Sequence, residues 1–365
     1  MLPSARTFTV VSIVVLLAAG GGDLVTLAGT AIPSDIWGYG VVRNGSANYT
    51  LAGKDGKNSA GTTNSVERFG VGIYAVYLPN LDVGALNAGT ALVTTLSTNA
   101  NHLCVVDDFG WHSPDPAEID VACYNRSGVA TDGTFSASLI DAQSLTGKAG
   151  YVWANDPTNP TTYIPDVSYQ YNSTGATNTI TRLSMGRYAV HLPGLATSRG
   201  NVQVAAKHVA SSSMPAICRA ITWGPSATDL VVTVQCRDLS SAKADADFDL
   251  FFAQGQGLKG SGHVPVAYLD ANHPTSASYA PDPLRRFSTA GLTPHVTRSG
   301  VGRYLVTLPG MPRGGAAQVT PYGTGTSFCV LSSIRKVGTP QQVGVRCYKL
   351  NGDPVDSEFG LSYER

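Results

Sequence analysis

Hydrophobic and polar residues alternate along much of this chain with the two-residue period of a β-strand, and one alternating line is written three times. It reads Gly72-Ile73-Tyr74-Ala75-Val76-Tyr77-Leu78-Pro79-Asn80, then Gly186-Arg187-Tyr188-Ala189-Val190-His191-Leu192-Pro193-Gly194, then Gly302-Arg303-Tyr304-Leu305-Val306-Thr307-Leu308-Pro309-Gly310. Tyr, Val and Leu fall on alternate positions in each copy, which predicts a strand with one buried face. Pro followed by Asn or Gly then predicts a turn, because Pro fixes φ and removes a ladder donor while the next residue tolerates positive φ. Around these lines lie short apolar runs separated by Gly, Ser, Thr, Asn and Pro, with no helical period. That spacing predicts an all-β chain of short antiparallel strands, as in a β-sandwich, either Ig-like or jelly-roll-like.

The copies are collinear over their whole length, so the pattern predicts three tandem β-sandwich repeats. Each spans roughly 110 residues, near the usual size of a domain. The boundaries fall at 32–146, 147–258 and 259–365. Residues Gln254 to Gly262 are Gly-rich and read as a linker. Two charged positions recur: Arg68, Arg182 and Arg298 stand four residues before the signature Gly, and Asp132, Asp245 and Asp356 stand three before a closing Phe. They read either as a ligand-binding ion pair or as structure, the Asp accepting turn N–H groups and pairing with the Arg.

Six cysteines fall as one pair per repeat: Cys104 with Cys123, Cys218 with Cys236 and Cys329 with Cys347. Each pair brackets two apolar runs joined by a turn-prone segment, so a hairpin would set its two Cys opposite each other within bridging distance. No C-x-x-C occurs, which argues against zinc. Disulfides imply an oxidising compartment. The N-terminus agrees: a short basic start, an apolar run from Phe8 to about Ala19 and small residues beyond predict a signal peptide over residues 1–31. With that leader cleaved, no later stretch is apolar and long enough to span a membrane. The expectation is a secreted, extracellular protein.

Lys and Arg together number 25, as do Asp and Glu, and the net charge is zero with no basic run, which excludes a nucleic-acid partner. There is no nucleophile elbow, no H-E-x-x-H and no phosphate loop, so the reading is non-enzymatic, without metal or cofactor. Asp245-Ala246-Asp247-Phe248-Asp249 resembles a calcium ligand run, yet fails the EF-hand pattern and reads as a solvated face opposite Phe248 and Leu250. Candidate binding residues are aromatic. Trp153 aligns with Asp270 of the third repeat and is expected to be exposed, and Trp111 and Trp223 lie between paired Cys. Exposed indoles on a sandwich can serve as platforms for sugar rings.

The unit Tyr-x-x-Ala-Asn-x-Pro-Thr, Arg-x-x-x-Gly-x-Tyr-x-Val-x-Leu-Pro-Gly, Cys-x-x-x-x-Trp, Val-x-Cys and Val-Asp-Ser-x-Phe, carried by Tyr151 to Phe252 and Val264 to Tyr363, resembles a repeat of secreted bacterial proteins without an assigned function. The resemblance implies an exported, disulfide-bearing β-repeat protein and supplies no catalytic residue or ligand. The leading expectation is a surface, adhesion or structural interaction module with an extracellular protein or glycan as partner. A carbohydrate-binding, lectin-like protein using the three Trp is the alternative, and an exported hydrolase comes third.

Overall fold

The structure is a computed structural model that describes residues 36–81, 89–111, 116–208, 215–257, 265–335 and 338–365, with the side chains of Trp111 and Gln143 outside the description. The expected leader at 1–31 lies outside the described residues. The fold is all-β and built from antiparallel sheets. Among the described residues the only helical pieces are three-residue turns at Ala142–Ser144, Val167–Tyr169 and Pro283–Arg285, and no helix is long and apolar enough to cross a membrane.

The first repeat supplies β1 (Trp37–Val42), β2 (Tyr49–Leu51), β3 (Gly56–Asn58), β4 (Asn64–Gly70), β5 (Ile73–Leu78), β6 (Thr90–Thr95), β7 (His102–Trp111), β8 (Ala117–Asn125) and β9 (Phe135–Ile140). They form two sheets, in the orders β3-β1-β9-β6 and β2-β4-β5-β8-β7. The second supplies β10 (Ala149–Ala154), β11 (Gln170–Asn172), β12 (Thr179–Ser184), β13 (Arg187–Leu192), β14 (Asn201–Ala206), β15 (Ala216–Ser226), β16 (Asp229–Asp238) and β17 (Phe248–Ala253). Its orders are β11-β10-β17-β14 and β12-β13-β16-β15, the latter being one half of an eight-stranded sheet that strands of the third repeat complete. The third supplies β18 (Val266–Ala271), β19 (Ser278–Tyr279), β20 (Arg286–Ser288), β21 (His295–Gly300), β22 (Arg303–Leu308), β23 (Ala316–Tyr322), β24 (Phe328–Ile334), β25 (Gln341–Tyr348) and β26 (Glu358–Glu364), ordered β20-β18-β26-β23 and β19-β21-β22-β25-β24. One pairing scheme therefore recurs with the sequence repeat.

The signature strands are β5, β13 and β22, and the inward Tyr, Val and Leu of each, Tyr74, Val76 and Leu78 in the first, are buried. Each signature Tyr meets the closing Phe of the other sheet: ring centroids lie 5.4 Å apart for Tyr74 and Phe135, 5.3 Å for Tyr188 and Phe248, and 5.2 Å for Tyr304 and Phe359. The two sheets of each repeat thus share a core, in a sandwich-like arrangement. The Pro turns behave as read: Asn80, Gly194 and Gly310 hold φ of 61°, 75° and 73°. The disulfides join directly opposed residues of β7–β8, β15–β16 and β24–β25, with Cα atoms 4.0, 4.1 and 4.0 Å apart. That is the close, non-hydrogen-bonded type of antiparallel pair.

The sheets containing β6, β14 and β23 are covered on both faces. Every residue of β1, β6, β9, β10 except Trp153, β14, β17 and β18 is buried. One face lies on the partner sheet and the other on neighbouring repeats. Gln318 donates to Ser136 O and Ser138 Oγ, Thr320 Oγ1 donates to Gln203 Oε1 and accepts from Val204 N, and Val319 N donates to Thr94 Oγ1. These polar residues of the alternation are hydrogen-bonded across a junction instead of hydrated.

Parallel bridges close the repeats in cyclic order. Leu96, just past β6, pairs with Leu331 of β24; Tyr322 of β23 pairs with Ala220 of β15; Lys207, just past β14, pairs with Val106 of β7. The first repeat reaches the third, the third the second, and the second the first. The described residues accordingly form one compact unit.

Candidate functional site

The recurring Arg and Asp make a structural clamp. In the third repeat Arg298 Nε and Nη2 donate to the two oxygens of Asp356 at 2.8 and 2.7 Å, and the same carboxylate accepts from Gly302 N at 2.9 Å and Tyr304 Oη at 3.1 Å. Asp132 and Asp245 hold Arg68, Gly72 and Tyr74, and Arg182, Gly186 and Tyr188, in the same way. The Arg bonds lead in holding Asp132 and Asp356 below the ordinary carboxylate range; for Asp245 burial pulls the other way, and the Arg182, Gly186 and Tyr188 bonds outweigh it. The signature Gly is required there: φ is 74°, 63° and 62° at Gly72, Gly186 and Gly302, and a Cβ would fall 2.4, 2.6 and 2.4 Å from the carbonyl oxygens of Cys123, Cys236 and Cys347. Both oxygens of each clamp carboxylate thus accept at least one internal hydrogen bond, the structural reading of the pair.

Neither Trp223 nor Trp153 stands free in solvent. Trp223 is 6% exposed, with the Arg285 guanidinium 3.4 Å above its ring and Phe252 edge-on to it. Trp153 is half-buried; its indole N–H donates to Asp247 at 3.2 Å and its ring meets Tyr169. The side chain of Trp111 lies outside the described residues. Asp270, at the position matching Trp153, is no sign of solvent there: it is buried, bonded to Asn201 Nδ2 at 2.9 Å and facing Arg285 at 3.4 Å. That position looks into a junction, where each copy meets different partners.

The face opposite Phe248 and Leu250 is likewise not solvated: Asp247 and Asp249 are buried. Lys207 lies beside them, its Nζ 3.8 Å from the Trp153 ring centroid, 4.7 Å from that of Phe109 and 3.0 Å from Asp108 Oδ1. Burial drives Asp249 well above the ordinary carboxylate range, Asp247 to about 6 and Asp270 to about 7, against the pull of Lys207 on the first two and of Arg285 on the third. Lys207 with Asp108, Trp153 with Asp247, and Asp270 with Asn201 and Arg285 tie these groups down, while neither carboxylate oxygen of Asp249 has a hydrogen-bond partner among the described residues. Among the described residues no group of three or more His, Cys, Asp or Glu could hold a metal ion.

One cleft, of about 620 Å³, is open and carries both apolar and charged groups, Lys349 and Asp356 among them. It lies between the second and third repeats and is lined by Arg219, Thr222, Tyr322, Ser357, Glu358 and the loop Gly323–Ser327. Arg219 is 3% exposed and donates only to neutral acceptors, Ser327 O and Oγ and Tyr322 O, while its Nε has no partner among the described residues. Burial, with Arg237 nearby, lowers its pKa to about 10. Sequence reading passed over Arg219, although a signal existed. The residue after the first Cys is Val105 in one copy and Val330 in another, and a charge replaces it once.

Two outcomes follow. Trp223→Ala removes a packed indole and costs about 3–5 kcal/mol, read by denaturant unfolding; unchanged stability would mean that the ring is not a packing element. The pH dependence has a definite sign. From about pH 4, where unfolded Asp ionises, up to the raised values of Asp247 and Asp270, the folded chain holds protons that the unfolded chain has released, so stability falls as pH rises. Half-buried His102, its pKa lowered by desolvation, opposes this trend below about pH 6.5. The melting temperature should fall from about pH 5 to about pH 8, with a shallower fall in Asp270→Asn. A flat or rising profile would contradict the assignment.

Comparison of the chain with family models, with curated protein sequences and with solved structures finds no match.

Proposed function

We propose that this chain is an exported, non-catalytic interaction module of three tandem antiparallel β-sandwich repeats, docking on an extracellular partner through the β4–β5, β12–β13 and β21–β22 hairpin tips. The observation that carries this is their apolar surface. Phe69, Val71 and Ile73 on the first tip, Leu183 and Met185 on the second and Val301 on the third are between 49% and 61% exposed. The clamp and the signature Gly account for the fold of each tip and use none of these side chains. Large apolar groups left in water at one equivalent place in every copy mark a contact surface. Alkyl side chains and one Phe suit a protein surface better than a glycan, whose binding draws on hydrogen bonds and flat aromatic platforms. The lectin reading loses Trp223, which is buried, as its platform. Three disulfides are compatible with an oxidising extracellular setting.

The test is a variant carrying Phe69→Ser, Val71→Ser, Leu183→Ser, Met185→Ser and Val301→Ser. As exposed-site changes these should each alter stability by no more than ~0.5 kcal/mol. Retention on immobilised extracellular proteins should fall at least ~10-fold relative to the parent chain, the scale expected when apolar anchors are lost. Retention unchanged in the variant, or confined to insoluble polysaccharide, would contradict the proposal.

A further inference from the structure

The sheet of the second repeat puts β17 between β10 and β14. Asp249 of β17 stands directly opposite Trp153 on one side and Ala205 on the other. Two residues away lie Asp247 and Lys207, whose backbone N–H donates to Asp247 O at 2.9 Å. Residues two apart on a strand share a face, so Trp153, Asp249, Asp247 and Lys207 project on the same side of the sheet. Lys207 starts beside β14, yet its Nζ lies 3.8 Å from the ring centroid of Trp153, two strands away. Strands β10 and β14 are about 10 Å apart at the usual spacing. The lysine stem therefore crosses β17, and its amine is held over the carboxyl groups of that strand.

The three carboxyl groups around this amine are not alike. Asp108, from the first repeat, is half-exposed and accepts from Nζ at 3.0 Å. Asp247 is buried and accepts from the Trp153 indole N–H at 3.2 Å. Asp249 is 0% exposed, and neither of its oxygens has a hydrogen-bond partner among the described residues. A carboxylate so placed is costly, so Asp249 is held as the neutral acid, and burial accordingly raises its pKa well above the ordinary range. Lys207 is as deeply set, its side chain 5% exposed. An amine, a neutral carboxylic acid and an acceptor for the amine's proton are the components of amide formation. Trp153, Phe109 and Tyr169, packed ring against ring around Nζ, exclude the water that would reverse it.

We propose that Lys207 and Asp249 join in an intramolecular isopeptide bond, with Asp108 as the proton acceptor. The Lys207 ammonium passes one proton to Asp108. The freed lone pair attacks Cγ of Asp249 and the C–N bond forms. The C–OH bond breaks, the hydroxyl leaves as water with a second amine proton, and the proton on Asp108 passes to solvent. The condensation needs no oxidant and no cofactor. Asp247 is the poorer partner because its carboxylate is engaged by the indole N–H, and Asp108, open to solvent, is placed to carry the proton away. The site is made once. Leu96 and Tyr322 stand at the other two bridges where Lys207 stands, and Ser136 and Gly360 follow the closing Phe where Asp249 does. The bond ties β14, a strand that carries a junction, to β17, and it is independent of the apolar tips.

The experiment is mass spectrometry of the folded chain after denaturation, reduction and digestion, which an ion pair does not survive and an amide does. The parent chain should yield a branched peptide joining the segments that carry Lys207 and Asp249, lighter by one water than their sum. The branch should be absent from Lys207→Arg and from Asp249→Ala. Asp108→Asn keeps both reacting groups and should form the bond at least ~100-fold more slowly, the lower end of what a positioned proton acceptor contributes, read from the branched fraction at successive times after synthesis. The parent measurement decides the bond whether or not the variants fold. Only linear peptides of unmodified mass from the parent chain would overturn the proposal. So would a loss of water that maps to another pair, Lys207 with Asp108 or Asp247 included. Formation in Asp108→Asn at the parent's rate would overturn the role given to Asp108.

Discussion

Both faces of the sheets containing β6, β14 and β23 are buried, and the rest of the structure depends on what covers the second face. A strand such as Phe135-Ser136-Ala137-Ser138-Leu139-Ile140 carries apolar groups for its own sandwich and small polar groups on the other side. Left in water those polar groups would be ordinary. Here Gln318 takes up Ser136 and Ser138, and Thr320 takes up Gln203 and the backbone of Val204, so the contacts between repeats are hydrogen-bonded as well as packed. Unmade, each such bond would leave a buried polar group at a cost of about 1–3 kcal/mol, which favours closing all three junctions together.

Closure makes the junctions equivalent in backbone and different in chemistry. The parallel bridges recur, but one junction holds Lys207 between aromatic rings with Asp108, Asp247 and Asp249, and another holds Asp270 with Asn201 and Arg285. Tandem copies can diverge at such places because no copy needs the same neighbour there. The clamp and the disulfides behave oppositely. They lie within a repeat, answer to its own chain, and are kept in all three copies.

What was legible in the sequence is what one repeat decides by itself. The inward Tyr, Val and Leu, the positive φ at Asn80, Gly194 and Gly310, the Cys pairs and the Arg–Asp partnership all follow from short-range period and turn chemistry. What was misread lies across junctions. Asp270 looked like evidence of solvent because Asp is seldom buried without a partner, and its partner Asn201 is remote in sequence. Gln256 looked like part of a linker and is fully buried, accepting from Thr146 N. Arg219 stood out only as a charge at a position that is apolar in the other copies.

The described residues form one body joined at three junctions, not three sandwiches in series. Differential scanning calorimetry of the oxidised chain tests it most directly. Shared junctions predict a single transition whose calorimetric and van't Hoff enthalpies agree. Separate transitions, or a calorimetric enthalpy about three times the van't Hoff value, would show that each repeat unfolds alone and would contradict the account.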